Sequence, residues 1–256
     1  NVLVLKDSEG MFIDKIDLSG YPFFSANRRF VISYDSNSLS EIDMDGSVLW
    51  KKTFSSSLSS VSVTKNLVFA GTVGGRIRLI DLDGDILFFK DTRGSRMNIV
   101  YGGAVSWNNE IILTLTGIEP QLLTLWNKID DDYQVLSTWS LASELRRHAV
   151  TGFSDDGLFS YVEAEDELVI IGLKNKRLYS IPTTGRIQNI IFPGDSLLAY
   201  IMGRDSDGFY LIISEAEGNV LFYTRIPGED VMLRKDGNRI IIGIDNNIIG
   251  YEMESL

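Results

Sequence analysis

The sequence predicts an all-β chain assembled from one repeated unit of four short antiparallel strands. Three observations carry the prediction: a turn signature that recurs, a near-constant spacing between its copies, and apolar runs of strand length and composition. The signature is acidic-x-acidic-Gly. It stands at Asp7-Ser-Glu9-Gly10, Asp43-Met-Asp45-Gly46, Asp81-Leu-Asp83-Gly84 and Glu215-Ala-Glu217-Gly218, with a weakened copy at Glu252-Met-Glu254-Ser255. Gly10, Gly46 and Gly84 lie 36 and 38 residues apart, and the 134 residues from Gly84 to Gly218 leave room for two degenerate copies between them.

Each element follows from local chemistry. At the signature, glycine supplies the positive φ that closes a short loop, and the acidic side chains accept hydrogen bonds from nearby backbone N–H groups. An apolar segment precedes and follows each turn (2–5 and 11–16, 79–80 and 86–89, 211–213 and 220–223), which is the layout of a hairpin. The degenerate copies occupy 122–126, 130–132 and 135–139, then 168–172, 174–176 and 178–181. Between hairpins come two more strand-like runs, for example 60–63 with 66–72, and 187–192 with 196–202. The four strands of each unit are named a to d. The runs are rich in Ile, Val, Phe and Tyr and broken by Gly, Asp and Asn, against the three-and-four spacing of a helical repeat. Only residues 141–148, with Ser140 as N-cap, read as a helical turn, placed on a connection between units.

Four-stranded repeats of this length predict a β-propeller, whose blades stand radially and bury their faces against their neighbours. Counted in this way, the chain holds six a–b pairs, six d strands and seven c strands, because it begins and ends on c. An open edge would leave unpaired N–H and C=O groups. The expectation is therefore a single domain over residues 1–256 with six blades, closed by strands of residues 231–251 pairing with those of residues 2–18. Seven blades is the alternative, since one c strand is surplus.

The totals narrow the function. With 24 Lys and Arg against 35 Asp and Glu, a net charge of −11 disfavours nucleic acid and anionic lipid. The absence of cysteine removes disulfides, thiolate metal sites and cysteine nucleophiles and leaves the compartment open. The longest apolar runs, such as residues 239–244, are far shorter than the roughly 20 residues of a membrane helix, so no direct membrane insertion is expected. The chain opens at Asn1 on strand-like sequence, and the expectation is that any leader or lipid anchor is removed or lies outside these 256 residues.

At Ile42-Asp-Met-Asp-Gly-Ser-Val-Leu-Trp50 the repeat resembles that of quinoprotein-type (PQQ-repeat) β-propellers, in the wider group that includes WD-repeat-like propellers. The resemblance implies that Trp50 docks the outer strand of its blade against the next blade. Phe88 or Phe89, Phe222 and Trp139 look like its substitutes, whereas Phe12 comes too early. The family includes quinone-dependent dehydrogenases and non-catalytic binding platforms, among them the propeller lipoprotein of the outer-membrane β-barrel assembly machinery. The dehydrogenases typically carry adjacent cysteines and a calcium-binding acidic set. The cysteine-free chain thus resembles the platforms: a bacterial, exported, periplasmic or envelope scaffold with no cofactor.

Catalytic and metal sites are weakly signalled. A helix-loop-helix calcium loop needs a distal Glu about twelve residues from its start, which the loop at Asp81-Leu-Asp-Gly-Asp85 lacks, so no metal is expected. Asp205-Ser-Asp207-Gly208 and the triple Asp130 to Asp132 read as turns. The single histidine, His148, has no Gly-x-Ser-x-Gly partner. Two carboxylates suffice for glycosidase chemistry, and 35 acids leave that reading open.

The connections from d to a gather at one face of a propeller, and theirs are the candidate partner-binding residues. They are Arg93, Arg96 and Asn98; Arg146, Arg147 and His148; Arg186, Gln188 and Asn189; with Tyr21 and Phe23 of Tyr21-Pro-Phe-Phe24, residues 57–60, and Glu229 and Asp230 at the equivalent places. Five arginines from three adjacent units are expected to converge on one sector, where guanidinium forks suit a peptide carboxylate, an acidic protein loop or an anionic sugar. Solvated loop charge is the bland alternative. For Tyr21 and Phe23 it is packing at the ring closure. The leading expectation is a non-enzymatic scaffold binding a protein partner; the alternative is a small-ligand or carbohydrate sensor, or a carbohydrate-active enzyme, at the channel mouth.

Overall fold

The computed structural model describes residues 2–6, 9, 11–17, 19–192, 197–236 and 239–252. The first turn at Gly10 and the end of the weakened copy, Glu254 and Ser255, lie outside the described residues. Every regular element among those described is a strand, and each sheet is an antiparallel meander in chain order. The chain divides into two compact units, residues 1–140 and 141–256.

The first unit begins with a hairpin of β1 (Val2–Lys6) and β2 (Phe12–Asp17). Next comes a four-stranded sheet of β3 (Gly20–Ser25), β4 (Arg28–Ser33), β5 (Ser38–Ile42) and β6 (Val48–Thr53). A second contains β7 (Leu58–Val63), β8 (Val68–Thr72), β9 (Arg76–Ile80) and β10 (Ile86–Asp91). The third has longer strands, β11 (Met97–Val105), β12 (Ile111–Ile118), β13 (Gln121–Ile129) and β14 (Asp132–Leu141).

The second unit holds a sheet of β15 (Thr151–Phe153), β16 (Phe159–Glu163), β17 (Glu167–Gly172) and β18 (Leu178–Pro182). It is followed by β19 (Arg186–Ile191), β20 (Leu198–Asp205), β21 (Gly208–Glu215) and β22 (Val220–Ile226). The last sheet has three strands, β23 (Val231–Asp236), β24 (Arg239–Ile244) and β25 (Asn247–Glu252).

Within each unit, consecutive sheets share one apolar core, which is why the middle strands are buried on both faces while outer strands bury few residues. All of β8 is buried, whereas β6 buries only Trp50 and β10 only Phe88. Phe30, Leu39 and Trp50 of one sheet meet Val68, Ala70 and Ile80 of the next. Phe69, Leu79 and Phe88 then meet Ile112, Trp126 and Tyr133. In the second unit, Leu168, Ile170 and Ile181 join Ile187, Ile201 and Tyr210. Phe209 and Leu211 join Leu233 and Ile242. A lone four-stranded sheet would leave these faces in water, at about 25 cal/mol for each Å² of apolar surface.

The repeated signature is a turn with one hydrogen-bond pattern in all three described full copies. The N–H of Asp43, Asp81 and Glu215 donates to the carbonyl of Ser47, Asp85 and Asn219, while the N–H of Gly46, Gly84 and Gly218 donates back to that of Asp43, Asp81 and Glu215. The three glycines have φ of 84°, 86° and 99°. Asp130 and Lys176 take the left-handed position, with φ of 55° and 56°, where the degenerate copies lack glycine. The carboxylates serve the turn: the N–H groups of Asp83 and Asp85 donate to Asp81 Oδ1, and that of Ser47 to Asp45 Oδ1.

Trp50 sits against the following sheet, and a Cβ added at Gly84 would lie 2.7 Å from its ring. Its indole N–H donates to Glu41 Oε2 at 2.7 Å, and Glu41 is gripped by Arg28, whose Nε donates to Oε1 at 2.7 Å. Two expectations need correction. Residues 141–148 form no helical turn: β14 runs on to Leu141, and the N–H groups of Leu145 and Glu144 are taken by Ser143 Oγ and Glu165 Oε2, which leaves no i−4 helical bonding there. Of the Trp50 substitutes, Phe88 is buried against Trp126 and Tyr133, but Phe89 is 47% and Phe222 is 49% exposed. Side chains alternate across a strand, so Phe89 faces away when Phe88 docks. Phe222 follows the same register on an outer strand whose residues 220–223 are all exposed.

Candidate partner-binding face

The connections from d to a and those from b to c interlock at the same end of adjoining sheets. The N–H of Thr92 donates to the carbonyl of Gly75 at 2.7 Å, and the N–H of Thr183 donates to that of Asp166 at 2.9 Å. The loops are thus fixed by backbone bonds before any side chain acts.

In the second unit this end is organised by Glu163, the last residue of β16, which is 1% exposed. Arg147 Nη2 donates to Glu163 Oε1 at 2.7 Å, as does the N–H of Ile187 at 2.7 Å, and the N–H of Val150 donates to Oε2 at 3.1 Å. Arg147 Nη2 also reaches the carbonyl of Gly185 at 3.2 Å. One buried carboxylate therefore ties the connection at 142–150 to the start of β19. A buried charge is tolerable only when it is paired and hydrogen-bonded in this way.

His148 lies beside this ion pair. Desolvation holds its imidazole below the ordinary value, Arg186 and Arg147 push in the same direction, and Glu163 opposes them. It is therefore neutral at pH 7. Next along, Asp205 accepts from Arg225 Nη1 at 2.6 Å and Nη2 at 2.9 Å and from Thr184 Oγ1 at 2.6 Å. Those bonds, Arg225 first, hold its carboxyl well below the usual carboxylate range. Asp205 and Asp207 flank a b-to-c turn in which Asp205 is committed to protein partners.

The structure brings Arg147, His148 and Arg186 together around Glu163, with Arg186 and Gln188 exposed on β19. Arg146 is exposed and 3.6 Å from Glu144. Asn189 turns instead toward the next sheet, its Nδ2 donating to the carbonyl of Leu233 at 2.6 Å. In the first unit, Arg93 is exposed, Arg96 is 3.2 Å from Glu119, and Asn98 Oδ1 accepts from the N–H of Ser95. Phe23 stacks on Phe30 at 5.2 Å within the core, whereas Tyr21 is 55% exposed and edge-on to Tyr34. Tyr21, Phe23, Asn98, Arg186, Gln188 and Asn189 all stand on strand a itself, past the loops. Sequence reasoning missed Glu163 and Glu41, which look like any other acid along the chain. An acid among buried strand residues, as in Phe-Ser-Tyr-Val-Glu163, was the available signal.

Comparisons agree with this architecture. A structure of BamB from Moraxella catarrhalis matches with a TM-score of 0.68 and 14% identity, covering 97% of this chain and 78% of that one. A functionally unknown protein from Desulfotomaculum acetoxidans DSM 771 matches with a TM-score of 0.63 and 13% identity, over 89% and 75%. At such identities the likeness is one of fold. An uncharacterized protein of Treponema pallidum (strain Nichols) is 18% identical over 236 residues, covering 92% of this chain and 63% of the relative, so the chain spans less than two thirds of that relative's length. The family model described as "beta-propeller protein" matches residues 3–256, and the chain belongs to that family.

Proposed function

We propose that this propeller is a non-enzymatic scaffold that binds a protein partner through the face made by its d-to-a connections, in a cell-envelope or multidomain assembly. The observation that carries the reading is the Glu163 ion pair: it fixes two successive connections with buried bonds and leaves Arg146, Arg186 and Gln188 exposed beside them. A surface held in this way loses little conformational freedom on binding. Guanidiniums at its rim suit an acidic partner loop. The fold shared with BamB and the resemblance of the repeat to binding-platform propellers support the same reading. Export is part of the proposal, as is a single domain of six blades closed between β23–β25 and β1–β2.

The test is the triple variant Arg146→Ala, Arg186→Ala and Gln188→Ala, which spares Arg147, the half-buried partner of Glu163. Proteins captured from a native extract are quantified by mass spectrometry. Loss of a specifically captured protein, with an unchanged unfolding midpoint, is expected. Identical capture by the variant removes this face from consideration.

A further inference from the structure

A cleft of about 530 Å³ opens in the first unit between the outer strand β10 and the face of the longer third sheet. Its origin is a change in filling. At one end of this inter-sheet space Phe88 meets Trp126 and Tyr133, with ring centroids 6.1 and 5.2 Å away. At the other end β12, β13 and β14 contribute Thr116, Thr124 and Thr138, side chains too short to reach across. The volume lies within the range of clefts that hold small ligands.

The lining is chemically specific. Leu122 and Trp126 form an apolar floor, and the indole N–H is turned away to Thr114 Oγ1 at 3.1 Å. Thr124 pairs with Thr138 at 3.3 Å. Thr116 is 4% exposed, and its hydroxyl has no hydrogen-bond partner among the described residues. Thr116 lines the cleft, so a ligand atom there can bond to this hydroxyl. At the rim stand Lys90 and Arg93, neither in an ion pair among the described residues, while Asp91 is engaged by Arg76 at 3.0 Å. The rim is therefore locally cationic on a chain of net charge −11.

From this we infer that the cleft is a binding site for a carboxylate with an apolar body and one amide or hydroxyl group. The body covers Leu122 and Trp126, the polar atom meets Thr116, and the carboxylate faces Lys90 and Arg93. A free small acid and an acidic peptide segment share this chemistry. Arg93 also belongs to the d-to-a connection at 92–96, so the two readings are told apart by their tests: this one varies Lys90, Arg93 and Thr116, the other Arg146, Arg186 and Gln188.

The experiment is a titration of the ¹⁵N-labelled 256-residue chain, followed at the backbone N–H signals of Thr116, Leu122 and Thr124. The probes are N-acetylphenylalanine, its uncharged amide, and the blocked peptide acetyl-Phe-Asp-Asp-amide. At least one acidic probe is expected to shift those signals saturably, with the uncharged amide about tenfold weaker, as for a lost charged hydrogen bond. The free acid alone assigns the site to small molecules, and the peptide alone assigns it to a protein segment. The variant Lys90→Ala with Arg93→Ala is expected to bring the acid down to the affinity of the uncharged amide, and Thr116→Val to weaken every probe. Equal binding of charged and uncharged probes, or no saturable shift with either acid, overturns the inference.

Discussion

Glu41 and Glu163 have opposite surroundings from most of the 35 acids in the chain, because each is buried and held by an arginine. The Arg28–Glu41 pair is the more enclosed, with side chains 12% and 8% exposed. Removing one member of such a pair strands the other charge, so Glu41→Ala is expected to destabilise the fold by about 3–5 kcal/mol in urea unfolding. An effect within experimental error would show that the pair is solvated. His148 offers a cleaner test as the only histidine. Its folded pKa lies below the ordinary 6.5, so the unfolded chain takes up the proton first. That contribution to stability is intact above about pH 6.5 and is lost as pH falls toward the folded value. The single imidazole signal in an NMR titration should give a midpoint below 6.5, and His148→Gln should flatten this part of the stability profile. A midpoint above 7 would mean that Glu163 outweighs desolvation and the two arginines.

At the scale of elements, the outer strands separate true docking from mere register. Trp50→Ala empties a buried contact between two sheets and should cost about 3–5 kcal/mol. Phe222→Ala, at the matching position of β22 but 49% exposed, should cost about 0.5 kcal/mol. Comparable losses would contradict the placement of Phe222. The turns were legible in sequence because their cause is local: three glycines at positive φ, each donating its N–H to the backbone carbonyl of the acid three residues before it. The strands were legible for the same reason. The segment at 141–148 was not, since Leu145 and Ala149 are spaced as on a helix, yet Ser143 and Glu165, which lies across a later loop, take the backbone donors. Of the candidate site, Arg147, His148 and Arg186 were found from position alone. Glu163, which joins them, was hidden because burial of an acid depends on partners distant in sequence. The cleft was hidden too: threonines in a strand look like ordinary β formers until the neighbouring sheet fails to fill the space beside them.

For the whole molecule, the proposal of a preorganised face rests on a closed ring, because loops from successive blades keep their spacing only if no blade is free to splay. The strands run a-b-c-d without interruption from β3 to β22, leaving three strands at one end and a hairpin at the other. Completion of that last blade is where the architecture is decided. Because the chain has no cysteine, single cysteines at Val4 and Tyr251, both exposed, can each carry a spin label without competing sites. Strands of one sheet are about 5 Å apart and packed sheets about 10 Å. Double electron–electron resonance is therefore expected to give one narrow distance of about 20 Å between the labels, set by these spacings and the label arms. A broad distribution centred beyond about 35 Å, more than three packed sheets away, would show an open chain of blades and contradict the account.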